Sequence, residues 1–286
     1  MDDNNWIEKT RTRLGAEVLN TDPLSGGCVG EVYRVRLSDG RIIVAKLSRE
    51  ADTTLSTEAY MLRFLAVHSK LPVPAVYYDD AQLLLMEYMP GASRFTPAAQ
   101  RSAAEMLAAL HNQTADAFGF EQDTLIGGLH QPNPWTDSWS CFFAEQRLVY
   151  VAQEAFNAGR LPESLLKRVE SFAADVGRWI KDPAQPALIH GDVWTGNVLA
   201  DGDTVTAFLD PAIYFGHEEI ELAFIALFNT FGEPFFRHYD SLHPIAPGFF
   251  ETRRDIYNLY PLLVHSRLFG GSYVSSVDRT LQQFGY

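Results

Sequence analysis

His190-Gly191-Asp192-Val193-Trp194-Thr195-Gly196-Asn197, followed by Asp210 at the end of the apolar run Val205-Thr206-Ala207-Phe208-Leu209, is the stretch that decides how this chain is read. An Asp, an Asn five positions on and a second Asp eighteen positions after the first suit phosphoryl transfer. That chemistry needs one carboxylate to orient an acceptor hydroxyl and two oxygen ligands to hold Mg²⁺ against the phosphates. Asp192 is the candidate for the first role, Asn197 and Asp210 for the second. Ala187-Leu188-Ile189, Val198-Leu199-Ala200 and Val205 to Leu209 read as short strands, with Asp201-Gly202-Asp203 as a turn. The three polar residues therefore fall on loops at strand ends.

A phosphoryl-transfer centre also needs a nucleotide site, and the first ninety residues contain its parts. Pro23 to Val35 reads as strand, glycine turn, strand, with Gly26, Gly27 and Gly30 letting backbone amides approach a polyphosphate. After the Ser38-Asp39-Gly40 turn, Ile42-Ile43-Val44-Ala45-Lys46-Leu47 carries one Lys in an otherwise apolar strand. Such a Lys needs a carboxylate to fix it. The next helix, predicted over about 53–67, places Glu58 in the apolar stripe of Leu55, Leu62 and Leu65, where a charge requires a partner. Leu83 to Met89 is a further apolar strand ending at Pro90-Gly91, the expected lobe boundary. In a kinase this segment receives adenine through its backbone, here the Glu87 carbonyl and the Met89 amide, with Met86 behind the ring.

The remaining two thirds read as mainly helical. Helices are expected from Thr96-Pro97 to His111, over 138–157, from Pro162 to Ile180, over 219–231 and over 254–269. A strand-rich first third before a helix-rich remainder implies an α+β chain with a protein-kinase-like two-lobe fold. The expected division is 1–89, an antiparallel sheet plus one helix, and 90–286, a mainly helical catalytic and substrate lobe. Only Pro211 to His217 separate Asp210 from the acidic start of the next helix, too little for the segment with which a protein kinase binds a peptide. Pro211-Ala212 stands where a protein kinase has Phe-Gly. Both point to a small-molecule acceptor.

The chain has 286 residues, 47% hydrophobic and 13% aromatic, enough for two lobes around a cleft. Its net charge is −13, with no run rich in Lys or Arg, so nucleic acid and anionic membrane surfaces are not expected partners. The acidic, polar start Met1-Asp2-Asp3-Asn4-Asn5 has no secretory pattern, and no stretch approaches a membrane span. Two cysteines, Cys28 and Cys141, make neither a disulfide framework nor a zinc site, so a cytoplasmic location is expected. Cys28, in the phosphate-binding loop near Lys46, is a candidate redox thiol able to join two chains by a disulfide. The expected state is a monomer or a redox-dependent dimer.

Beyond these kinase parts, the chain resembles the fructosamine kinase (ketosamine 3-kinase) family of protein-kinase-like small-molecule kinases. The resemblance rests on Gly26-Gly27-Cys28, Phe118-Gly119-Phe120, Trp139 with Phe142-Phe143, the His190 to Asn197 motif, Asp210-Pro211-Ala212 with Tyr214, Gly216, His217 and Glu218, and Ala246-Pro247-Gly248-Phe249. It runs in order from about Leu24 to Phe269, nearly the whole chain. It implies transfer of the ATP γ-phosphate to the 3-hydroxyl of a ketosamine, free or protein-linked, after which the phosphate decomposes and releases the amine. By position, Asp192 is the base, Asn197 and Asp210 hold Mg²⁺, Lys46 pairs with the phosphates and with Glu58, and Gly26 and Gly27 cover them. Gly30 departs from the small polar residue often found there. Trp194, two residues past the base, is the expected sugar contact, its indole facing a sugar's CH surface. His217, Glu218 and His265 are further acceptor-side candidates, and Glu221 is expected to anchor the catalytic loop. Two alternatives stand beside this reading: another small-molecule kinase, acting on an aminoglycoside, choline or a simple sugar, and a catalytically silent nucleotide-binding regulator.

Overall fold

The computed structural model describes residues 3–24, 30–48 and 54–286. Helix α1 (Asp3–Leu14) precedes an antiparallel sheet of order β1-β2-β3-β5-β4, made of β1 (Val18–Pro23), β2 (Glu31–Leu37), β3 (Ile42–Leu47), β4 (Val76–Asp79) and β5 (Leu83–Glu87). Side chains alternate along central β3, so this one strand feeds two cores. Ile43, Ala45 and Leu47 join one core with Trp6 of α1, Val35, Leu37, Leu83 and Leu85. Val44 faces the other way, into a core with Leu55, Ala59 and Leu62 of helix α2 (Thr54–His68). Lys46, two residues on from Val44, shares the α2 face and is buried there.

The helical part of the second lobe opens with α3 (Pro97–His111), where the Thr96 hydroxyl accepts the Ala99 amide at 3.1 Å and Pro97 takes the first turn. A hairpin of β6 (Thr124–Ile126) and β7 (Leu129–Gln131) comes next. Residues 139–157 form one helical rod, as expected, but its middle, Phe143–Val149, widens into a π-helix between α4 (Trp139–Phe142) and α5 (Tyr150–Asn157). Within it Arg147 is fully buried, its guanidinium 4.0 Å from the centre of the Tyr214 ring. Helix α6 (Glu163–Asp175) leads to β8 (Ala187–Ile189), β9 (Val198–Asp201), β10 (Thr204–Phe208) and β11 (Tyr214–Gly216). The pairs β9–β10 and β8–β11 are both antiparallel. Helices α7 (Glu219–Leu227), α8 (Glu233–Leu242), α9 (Arg254–Phe269) and α10 (Ser272–Gln283) complete the chain.

Helix α7 stops short of the expected Phe231 because Asn229 adopts a left-handed backbone, φ 49°. Strand β5 likewise ends at Glu87, before Met89. There the linker is drawn onto the β9–β10 hairpin, with Ala92 and Ala200 exchanging amide hydrogen bonds of 2.9 and 3.0 Å. The structure adds α1 to the single helix expected in the first lobe. Among its described side chains only Trp6 and Thr10 are fully buried, with Ile7 and Leu14 packed partly buried beside them, too narrow a stripe to stand out in a polar sequence. The lobes also share packing, since Met61, Leu65 and Leu71 belong to the large core built on the second lobe.

Candidate active site

Asp210 lies just past β10 in a left-handed conformation, φ 51°, which short polar side chains tolerate and which turns its carboxylate back toward the first lobe. Lys46 Nζ donates to Asp210 Oδ1 at 2.5 Å and to Glu58 Oε1 at 2.7 Å. One ammonium thus bridges β3, α2 and the end of β10. Burial opposes its charge, but the two carboxylates outweigh burial and hold Lys46 protonated. Glu58 is pushed up by burial first, against the pull of Lys46.

The facing group is Asp192 with Asn197. Asn197 Nδ2 donates to the Asp192 carbonyl at 3.0 Å and to Asp192 Oδ2 at 2.8 Å, which leaves the amide oxygen Oδ1 on the side away from Asp192. The Asp192 carboxyl is pushed up to about 8, first by burial and then by the charge of Asp210. A cation beside Asp210 would offset the second cause.

Behind this pair the catalytic loop is fastened from below. Glu221 Oε1 accepts the Gly191 amide at 2.6 Å, and Oε2 accepts the His190 amide at 3.4 Å and contacts His111 Nε2 at 2.8 Å. His111 Nδ1 lies 2.6 Å from the Tyr239 hydroxyl. Glu221 is fully buried, yet these donors hold its carboxyl below the usual range. Gly191, φ 85°, has no room for a side chain, because a Cβ there would overlap the Ala212 carbonyl. That carbonyl accepts Gln131 Nε2 at 3.1 Å, and the Ala212 amide donates to the His190 carbonyl at 2.8 Å. Gln131 is itself held by Thr124 Oγ1 at 2.8 Å and by the Tyr260 hydroxyl at 2.5 Å. The hairpin β6–β7 thus clamps the segment after Asp210.

Of the other candidate residues, Glu87 closes β5 and Met89 lies half-buried in the linker. Trp194 is 42% exposed at the mouth of the catalytic loop. His217 is wedged between Trp139 and Tyr257, with Nδ1 3.1 Å from Glu218. Glu218 also lies 3.6 Å from His243 Nε2, and the two imidazoles hold its carboxyl low against the effect of burial. His265 is not brought to this group: its ring meets Phe228, Phe269 and Tyr273, and its Nδ1 is bound to the Pro261 carbonyl at 2.8 Å. Gly26, Gly27 and Cys28 lie outside the described residues. His111, Tyr239, His243, Thr124 and Gln131 escaped sequence reasoning. The partners of His111 lie 110 and 128 residues away in the chain, and Gln131 meets others 81 and 129 residues away, so nothing local marks them.

The residues fit a nucleotide-bound magnesium ion. Asn197 Oδ1 and the Asp210 carboxylate are hard oxygen donors, and Mg²⁺ in such sites takes one or two protein oxygens and completes its shell with phosphates and water. Among the described residues no three His, Cys, Asp or Glu side chains are grouped so as to hold a metal ion. No helix of the described residues is long and apolar enough to cross a membrane.

Comparison with known proteins agrees with the geometry. A relative named "Probable ketoamine kinase" from Synechocystis is 35% identical over 270 residues, 91% of this chain and 88% of the relative. One of the same name from Vibrio parahaemolyticus is 33% identical over 91% of this chain and 90% of its own. A crystal structure from Thermobifida fusca, provisionally named a fructosamine-3-kinase, superposes with TM-score 0.86 at 32% identity, covering 98% of both chains. An aminoglycoside phosphotransferase solved with ADP and hygromycin B superposes with TM-score 0.67 at 18% identity over 98% of this chain and 99% of its own. It shares the fold, which is that of protein-kinase-like phosphotransferases. The family model described as fructosamine kinase matches residues 3–285, and this chain belongs to the fructosamine kinase family.

Proposed function

We propose that this chain transfers the γ-phosphate of ATP to the 3-hydroxyl of a ketosamine. The observation that carries the reading is the Lys46–Glu58–Asp210 cluster set against the Asp192–Asn197 pair. These are the parts that phosphoryl transfer requires, and all are intact. Glu58 orients Lys46, which binds the phosphates. Asn197 Oδ1 and Asp210 would hold Mg²⁺, which would supply positive charge to the phosphate oxygens. Adenine would be received by the linker backbone at Glu87 and Met89, between a nucleotide lobe of residues 1–89 and a catalytic lobe of residues 90–286, and Gly26 and Gly27 are the glycines whose amides would serve the phosphates. Asp192, raised by burial, is suited to accept the acceptor's hydroxyl proton as the new bond forms. Asn197 keeps one of its oxygens aimed and the other free. Trp194 presents an aromatic surface to the sugar, while His217 and Glu218 shape the acceptor side.

The test is Mg-ATP turnover against synthetic ribulosamine and fructosamine, aminoglycosides and choline, with Asp192→Asn as control. Turnover of a ketosamine, lost by at least about a thousandfold in the control, is expected. Free amine then appears as the 3-phosphate decomposes. Activity confined to aminoglycosides or choline refutes the acceptor, and nucleotide binding without turnover of any of them refutes the reaction.

A further inference from the structure

The loop between Asp192 and Asn197 contains a glycine that the reaction does not explain. Gly196 sits in the single 3₁₀ turn Thr195–Asn197, and its φ is not in the positive, left-handed range, so its backbone is open to any L-residue. A glycine in such a place loses chain entropy on folding that alanine would not. What it provides is space. A Cβ built on Gly196 would lie 2.5 Å from both Cζ2 and Cη2 of Trp194 and 3.0 Å from Cε2, and these are its three nearest atoms. Separations under 3.0 Å are essentially never seen for a real Cβ.

The Trp194 main chain cannot yield to relieve that overlap, because it is tied at both ends. Its amide donates to the Asp192 carbonyl at 3.1 Å, and its own carbonyl accepts the Asn197 amide at 2.9 Å. Only rotation about the side-chain bonds remains. The indole is therefore folded back along its own loop, its benzo edge lying over bare backbone where any other residue would put a side chain. With that edge backed by Gly196 and 42% of the residue still open, the ring offers an exposed surface in a defined orientation.

We propose that Gly196 is a positioning residue for acceptor specificity: by leaving its Cβ position empty it sets the orientation in which Trp194 meets the sugar. The inference rests on the reading of Trp194 as the sugar platform. The experiment is a double-mutant cycle of Gly196→Ala and Trp194→Ala, read as KM for the ketosamine, KM for ATP and acrylamide quenching of tryptophan emission, with the Trp194→Ala spectrum as baseline. Alone, Gly196→Ala is expected to raise the ketosamine KM about tenfold, leave the ATP KM within about twofold and make the Trp194 emission more quenchable. In the Trp194→Ala background the same change should alter the ketosamine KM by less than about twofold, because the ring it displaces is gone.

Equal effects of Gly196→Ala in the two backgrounds would assign the glycine a backbone role and overturn the proposal. So would a Gly196→Ala enzyme with parental KM and quenching beside a Trp194→Ala enzyme of raised KM. Failure of the underlying reading looks different: Trp194→Ala would leave the ketosamine KM unchanged while Gly196→Ala still altered quenching. That result rejects specificity control.

Discussion

Replacing Glu221 with glutamine tests whether the catalytic loop is held by a charge. The side chain keeps its volume and one acceptor oxygen, so the perturbation is confined to polar contacts. With the amide oxygen kept toward Gly191, the amino group faces the His190 amide and His111 Nε2. His111 can accept from it by carrying its proton on Nδ1, toward the Tyr239 hydroxyl. Two losses remain: the charge on the 2.6 Å bond to Gly191, and the acceptor for the longer 3.4 Å contact to His190. A hydrogen bond to a charged group is worth about 1.5–3 kcal/mol and a neutral one about 0.5–1.5, so the exchange plus one weak orphan costs about 2 kcal/mol. For a chain of this size that is a fall of about 4–8 °C in Tm. Because Gly191 immediately precedes Asp192, about half of the loss should appear in the transition state, lowering kcat about fivefold. The KM for ATP should stay within about twofold, since Lys46 is fixed independently by Glu58. Thermal unfolding with steady-state kinetics on the ketosamine decides it. A Glu221→Gln enzyme with parental Tm, or one that loses stability yet keeps its kcat, refutes the reasoning.

Two more outcomes are expected from other parts of the fold. At Gly91, φ 143°, a Cβ would come within 2.7 Å of Thr206 Oγ1 and 3.0 Å of the Ala200 carbonyl. Gly91→Val should therefore destabilise the protein by about 2–5 kcal/mol and raise the ATP KM by shifting the linker off β9–β10; urea unfolding and nucleotide kinetics matching the parent would contradict it. Glu218 is held low by His217 and His243, so its contribution is complete above the unfolded carboxyl value near 4.3 and is lost as pH falls through the lower folded value. Below about pH 4 the parent should lose up to about 1.4 kcal/mol per pH unit more than Glu218→Gln, measured by denaturant unfolding across pH, and identical slopes would count against the pairing.

Much of the fold was legible because it is written in short-range pattern. Lys46 in an apolar strand, Glu58 inside an apolar stripe and the spacing of Asp192, Asn197 and Asp210 each announce a polar group whose neighbours leave it no solvent. The structure gathers Lys46, Glu58 and Asp210 into one cluster and pairs Asp192 with Asn197 within reach of the Asp210 charge. The supports behind them were illegible for the same reason in reverse. His111 looks like the last turn of an ordinary helix, and Gln131 looks like a polar residue in a short hairpin. Each is buried only because a partner about 80 to 130 residues away meets it. Helix α1 was missed because only Trp6 and Thr10 of its described side chains are fully buried, with Ile7 and Leu14 packed partly buried beside them. The surroundings of His265 were equally illegible: nothing local announces that its ring meets Phe228, Phe269 and Tyr273.

The anchoring of α2 has a consequence for control. Met61 and Leu65 are rooted in the core of the second lobe, and Tyr60 and Phe64 reach Phe120 there, with Tyr60 also bound to Glu121. The helix that presents Glu58 thus cannot rock away from Lys46 without tearing a hydrophobic seam. A regulator could separate Glu58 from Lys46 only by giving up that buried surface, so control by swinging this helix carries a hydrophobic cost.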